Sequence, residues 1–193
     1  MSMKDITDRL NELSVRYKIG ELQELRRDLR GFKNRLPRKI FGNGVRSDYA
    51  FHRGGRLEFQ FNIGYDQEYR KFRYGIAFSL ETSNYVRDIS PLYPKVERFN
   101  EYFKRNPDKF LEYRTYSQVN LKNIGEIEPV KILEKDFYAK STKTFIFIGK
   151  FFDKNIDEIT TEDCHVILKT FDDLLDVYKF VEKEKYGDQM DLG

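Results

Sequence analysis

Hydrophobic and polar positions alternate most regularly between Asp48 and Glu81. Leu57, Phe59, Phe61, Ile63 and Tyr65 share one face, and Arg56, Glu58, Gln60 and Asn62 share the other. After a polar turn, Phe72, Tyr74, Ile76, Phe78 and Leu80 alternate with Arg73, Gly75, Ala77 and Ser79. A period of two over this length predicts half-buried antiparallel strands. Gly54-Gly55 parts Tyr49–Arg53 from Arg56–Tyr65 and suits a tight hairpin turn, so the segment reads as a three-strand meander. Its polar face is either open to a ligand or covered by a helix.

The period changes on both sides of the meander. Ile6, Leu10, Leu13 and Tyr17 form one helical stripe, and Leu22, Leu25, Leu29 and Phe32 another, ending near Gly31. Pro37 and Gly42-Asn43-Gly44 then predict a loop. Ser90-Pro91 starts a helix whose buried stripe is Leu92, Val96, Phe99 and Phe103, and Asn106-Pro107 starts a short one. Tyr113 to Leu121 reads as a strand, and Lys122 to Lys143 as surface loop. The apolar run at residues 144–149 fits a central strand buried on both faces. Thr160 or Thr161 caps a further helix, and Thr170 with Asp173 predicts a second start before the stripe of Leu174, Tyr178 and Val181. The fold class is α+β: a mostly antiparallel sheet with a central meander, flanked by N-terminal, middle and C-terminal helices. One domain is expected over residues 1–193, with a helical part at 1–32, a sheet core at 45–150 and C-terminal helices at 160–185.

Composition narrows the chemistry. Seventeen Phe and thirteen Tyr can fill a core although only 39% of residues are apolar. One cysteine excludes an internal disulfide, and no run approaches a membrane span or a signal core, so a soluble cytoplasmic protein with no membrane partner is expected. With Cys164, His52 and His165 as its only Cys and His, the chain lacks the ligands of a structural zinc site. No cofactor is expected.

Charge is uneven beneath a net +3. From Arg26 to Arg56 there are ten Lys or Arg against Asp28 and Asp48. From Asp153 to the end there are twelve Asp or Glu against five Lys. A basic segment that continues into loops points to a polyanion, with Lys33, Arg35, Arg38, Lys39 and Arg46 as phosphate contacts. His52, Arg53, Arg56, Gln60, Asn62 and Arg73 extend this candidate DNA-binding set onto the meander, where amides offer donors and acceptors to a base edge. Tyr49, Tyr65 and Tyr69 are the candidates for stacking a base.

Two other readings stay open. Asp48 followed by Glu58 and Gln60 resembles the metal-binding pattern of PD-(D/E)xK nucleases, with Gln in the Lys position, and would need Mg²⁺. The acidic C-terminal helices could instead be a protein-interaction surface.

Residues 73–81, RYGIAFSLE, followed by residues 92–103, LYPKVERFNEYF, and preceded by HRGGRLEFQFNIG at 52–64, resemble N-terminal modules of modification-dependent restriction proteins. There the module precedes a McrB-type GTPase or an HNH nuclease. The resemblance implies a DNA-recognition module of a restriction or defence system, non-enzymatic by itself. Its partners would be DNA carrying modified bases and a nuclease or GTPase subunit or fused domain.

Overall fold

The computed structural model describes residues 1–22, 39–44, 48–52, 57, 59–84, 86–140 and 143–183. Among these, α1 is Met3–Leu13, and β1 (Phe41–Asn43), β2 (Tyr49–His52), β3 (Phe59–Asp66) and β4 (Lys71–Glu81) follow. Next come α2 (Tyr93–Arg105), β5 (Arg114–Val119), β6 (Lys122–Pro129), α3 (Lys135–Tyr138), β7 (Lys143–Phe152) and α4 (Thr161–Val181). The seven strands form one antiparallel sheet in the order β1-β2-β3-β4-β7-β5-β6, so the fold is α+β with the expected meander, β2-β3-β4, at its centre.

The chain packs as two compact units. One comprises Met1–Arg53, Phe61–Tyr74 and Phe151–Leu175, the other Gly54–Gln60, Gly75–Lys150 and Asp176–Gly193. Four of the divisions fall inside elements: β3, β4, β7 and α4.

In the first unit, α1 starts with a reciprocal cap. Ser2 Oγ accepts from Asp5 N–H, and Asp5 accepts from the Ser2 backbone N–H at 2.9 Å. Its apolar stripe, Met3, Ile6, Leu10 and Leu13, is buried. Asn11, on the same helix, donates to Phe41 O at 3.1 Å and accepts from Phe41 N–H at 2.9 Å, gripping β1 as a neighbouring strand would. Phe171 of α4 meets Phe41 and Phe61, with ring centroids 5.5 and 5.1 Å apart.

The second unit is built on rings. Phe59 and Phe78 stack 4.3 Å apart, and Phe99 of α2 lies against both. Beneath them is a buried ion pair. Lys95 Nζ is 2.8 Å from Glu182 Oε2, and their side chains are 10% and 1% exposed. Lys95 also donates to Leu57 O at 2.6 Å, and Glu182 accepts from Phe59 N–H at 2.8 Å. These added bonds are what make a buried pair tolerable, because desolvation otherwise offsets its attraction. Gly75 lets β4 approach its neighbour: a Cβ there would lie 2.2 Å from Ile148 O.

Three elements differ from the sequence reading. Gly42 and Asn43, expected in a loop, lie in β1, and the turn expected at Gly54-Gly55 lies outside the described residues; β2 pairs with β3 through Tyr49 with Gly64 and Phe51 with Asn62. Gly64 permits this register, since a Cβ there would be 2.9 Å from Tyr49 Cβ. The stretch expected to be loop after Lys122 begins with β6, whose mostly exposed residues give no alternation to read. Finally, α4 runs unbroken through Thr170. Asp173 three residues on mimics a cap, but Thr170 is buried in the middle of the helix.

Candidate nucleic-acid interface

Most of the basic cluster, namely Lys33, Arg35, Arg38, Arg46, Arg53 and Arg56, lies outside the described residues, as does Glu58. Lys39 is described. It is an exposed side chain beside Asp8, in an ion pair of the weak surface kind, worth about 0–1 kcal/mol. A phosphate competes readily with such a partner.

The polar face of the meander is closed. Gln60 is 6%, Asn62 3% and Arg73 8% exposed. Arg73 donates to the Asn62 side-chain carbonyl, so the donor and acceptor that were candidates for a base edge are spent on each other. Gly75 and Ala77 leave no pocket: Ala77 is fully buried and Gly75 faces the Ile148 carbonyl. His52 sits on the opposite, apolar face, 1% exposed and edge-on to Phe61 at 6.1 Å. Gln60, Asn62, Arg73 and His52 are thus all buried.

The tyrosine candidates differ in what holds them. Tyr49 is half-buried, stacked on Phe51 at 6.2 Å with its ring laid over Gly44, where a Cβ would come within 2.0 Å. Tyr65 donates its hydroxyl to Asn155 at 2.7 Å. Tyr69 closes the β3–β4 turn, its N–H donating to Asp66 Oδ1 at 2.9 Å.

For the nuclease pattern, Asp48 is half-buried at the start of β2 and Gln60 is buried, while Glu58 lies outside the described residues. Among the described residues no cluster of three His, Cys, Asp or Glu side chains could hold a metal. Cys164 is buried, and burial first, then the neighbouring Asp163, push its thiol up to about 11, far from a thiolate nucleophile at neutral pH. No described helix is long and apolar enough to cross a membrane.

Two features had no clear signal in the sequence. One is the Lys95–Glu182 pair, whose partners stand 87 positions apart. The other is the β5–β6 hairpin, which turns on Asn120 and Leu121 at φ 53° and 66°. Lone charges on apolar helix stripes were the only hint of the first.

Comparison with known proteins yields no match to a family model, a curated protein or a solved structure.

Proposed function

We propose that this chain is a DNA-binding module of a restriction or defence system, which binds through phosphates and leaves cleavage to a nuclease or GTPase partner. The observation that carries this reading is the concentration of ten Lys or Arg against two Asp between Arg26 and Arg56. Such a segment attracts a polyanion and releases condensed counterions on binding. The resemblance of residues 52–103 to restriction-protein recognition modules supports the same partner and suggests that modified bases are what is sensed.

The reading places affinity in the basic segment and not on the meander, whose amides are buried. Phosphate contacts position a protein without reading sequence, so discrimination of a modified base belongs to loop residues or to duplex shape. The decisive experiment is an anisotropy titration of labelled duplexes, modified and unmodified, at low salt. Binding is expected to both, and Arg38→Ala with Lys39→Ala should weaken both about equally. A wild-type chain that binds no duplex at low salt overturns the reading.

A further inference from the structure

The tip of the β5–β6 hairpin breaks two local rules at once. Val119 pairs with Lys122, so Asn120 and Leu121 are the two turn residues, both in the left-handed region at φ 53° and 66°. That geometry suits Asn at the first position and Gly at the second; a leucine pays a steric penalty there. Packing does not offset it, because Leu121 is 58% exposed. Backbone strain at an exposed apolar residue points to a use outside the molecule.

The surroundings say what it would meet. From Gln118 to Gly125 the hairpin has no acidic residue, and Lys122 is exposed beside the leucine. The Lys143 carbonyl adjoins the tip, accepting from Asn120 N–H at 3.0 Å, while the Lys143 ammonium donates to Thr82 O at 2.8 Å. The Gln118 and Asn123 amides are held together at 2.8 Å and stiffen the base of the turn. This hairpin finger, laddered to β7 through Val119 and Thr144, carries an apolar point beside exposed Lys122 and fits a nucleic-acid duplex better than an apolar protein pocket.

We propose that Leu121 is a wedge that enters the stack of a DNA duplex between two base pairs, with Lys122 on an adjacent phosphate. Apolar side chains used this way unstack a step and kink the duplex, in return for more wrapped surface. The proposal rests on the DNA reading above.

The test uses the full chain and duplexes carrying 2-aminopurine. Wild type should raise 2-aminopurine fluorescence on binding. Leu121→Gly suits the turn better and removes the point, so it should stay folded, keep salt-dependent binding, lose the fluorescence rise and weaken affinity roughly tenfold. Leu121→Phe should restore the rise. If wild type binds with no fluorescence change, or if Leu121→Gly leaves rise and affinity intact, the wedge is wrong while the DNA reading survives. If Leu121→Gly instead abolishes binding to a partner protein and not to DNA, the finger docks protein. Absence of any binding by wild type removes both proposals.

Discussion

Gln60 carries an amide with two donors and two acceptors, and at 6% exposure those groups must be satisfied inside the protein. Removing them strands whatever they bond to. Gln60→Ala is therefore expected to lower stability by about 1–3 kcal/mol, read as a fall in melting temperature, and to leave base preference unchanged. A competition titration that showed altered base preference with an unchanged melt would mean that this face opens to the ligand. Alternation along β3 and β4 located these residues and paired them on one face correctly. What it could not convey is the cover over that face, since a polar residue on a strand looks the same whether it meets water or Arg73. His52 is the converse case, a polar residue that takes an apolar position on the sheet.

At the scale of elements, legibility follows how far a pattern is set locally. The stripe from Ile6 to Leu13 on α1 and the run buried in β7 stand where their residues predict, because each is dictated by its own burial, whereas α2 begins at Tyr93, after a 3-10 turn at Ser90–Leu92 that has no side-chain cap. The failure at Thr170 shows the limit: the same Thr-x-x-Asp spacing occurs at Thr160 and Asp163, and only there does it cap. Thr160 Oγ accepts from Asp163 N–H at 3.2 Å, and Asp163 accepts from Thr160 N–H at 2.9 Å. Burial pushes the Asp163 carboxyl up, but hydrogen bonds from Lys154 and Thr160 outweigh it and hold the group below its ordinary value. A depressed folded value means stability that is present above the unfolded carboxylate pKa of about 3.9 and is lost as pH falls through the folded one. Asp163→Asn should accordingly flatten the acid limb of a stability–pH curve, whereas Thr160→Ala should cost about 1 kcal/mol at neutral pH. Equal acid sensitivity in Asp163→Asn and wild type would show that the helix start does not set this limb.

Across the whole molecule, the net charge of +3 conceals a basic segment and an acidic C-terminal stretch that nearly cancel. The sum predicts weak attraction to DNA, and the distribution predicts strong attraction. They are separated by salt. If Lys33, Arg35, Arg38, Lys39 and Arg46 all meet phosphates, log affinity should fall against log salt with a slope of about 4 to 5, and losing Arg38 and Lys39 should reduce it by about 2. A slope near zero would show that the basic segment does not touch the duplex. Charge along the chain was fully legible without a structure. The division into two units was not, because it cuts through β3, β4, β7 and α4, and no Gly- or Pro-rich linker marks it.

The grip of Asn11 on Phe41 has a consequence for solubility. β1 is the first strand in the sheet order, and the outer row of a terminal strand is a template on which another chain can add itself. Here the N–H and C=O of Phe41 are already taken by one side-chain amide, which ends the ladder as a strand would but has no further edge to offer. A single asparagine thus occupies the backbone groups of Phe41 that an added strand would need, and Asn11→Ala is expected to raise the tendency to aggregate, read by light scattering.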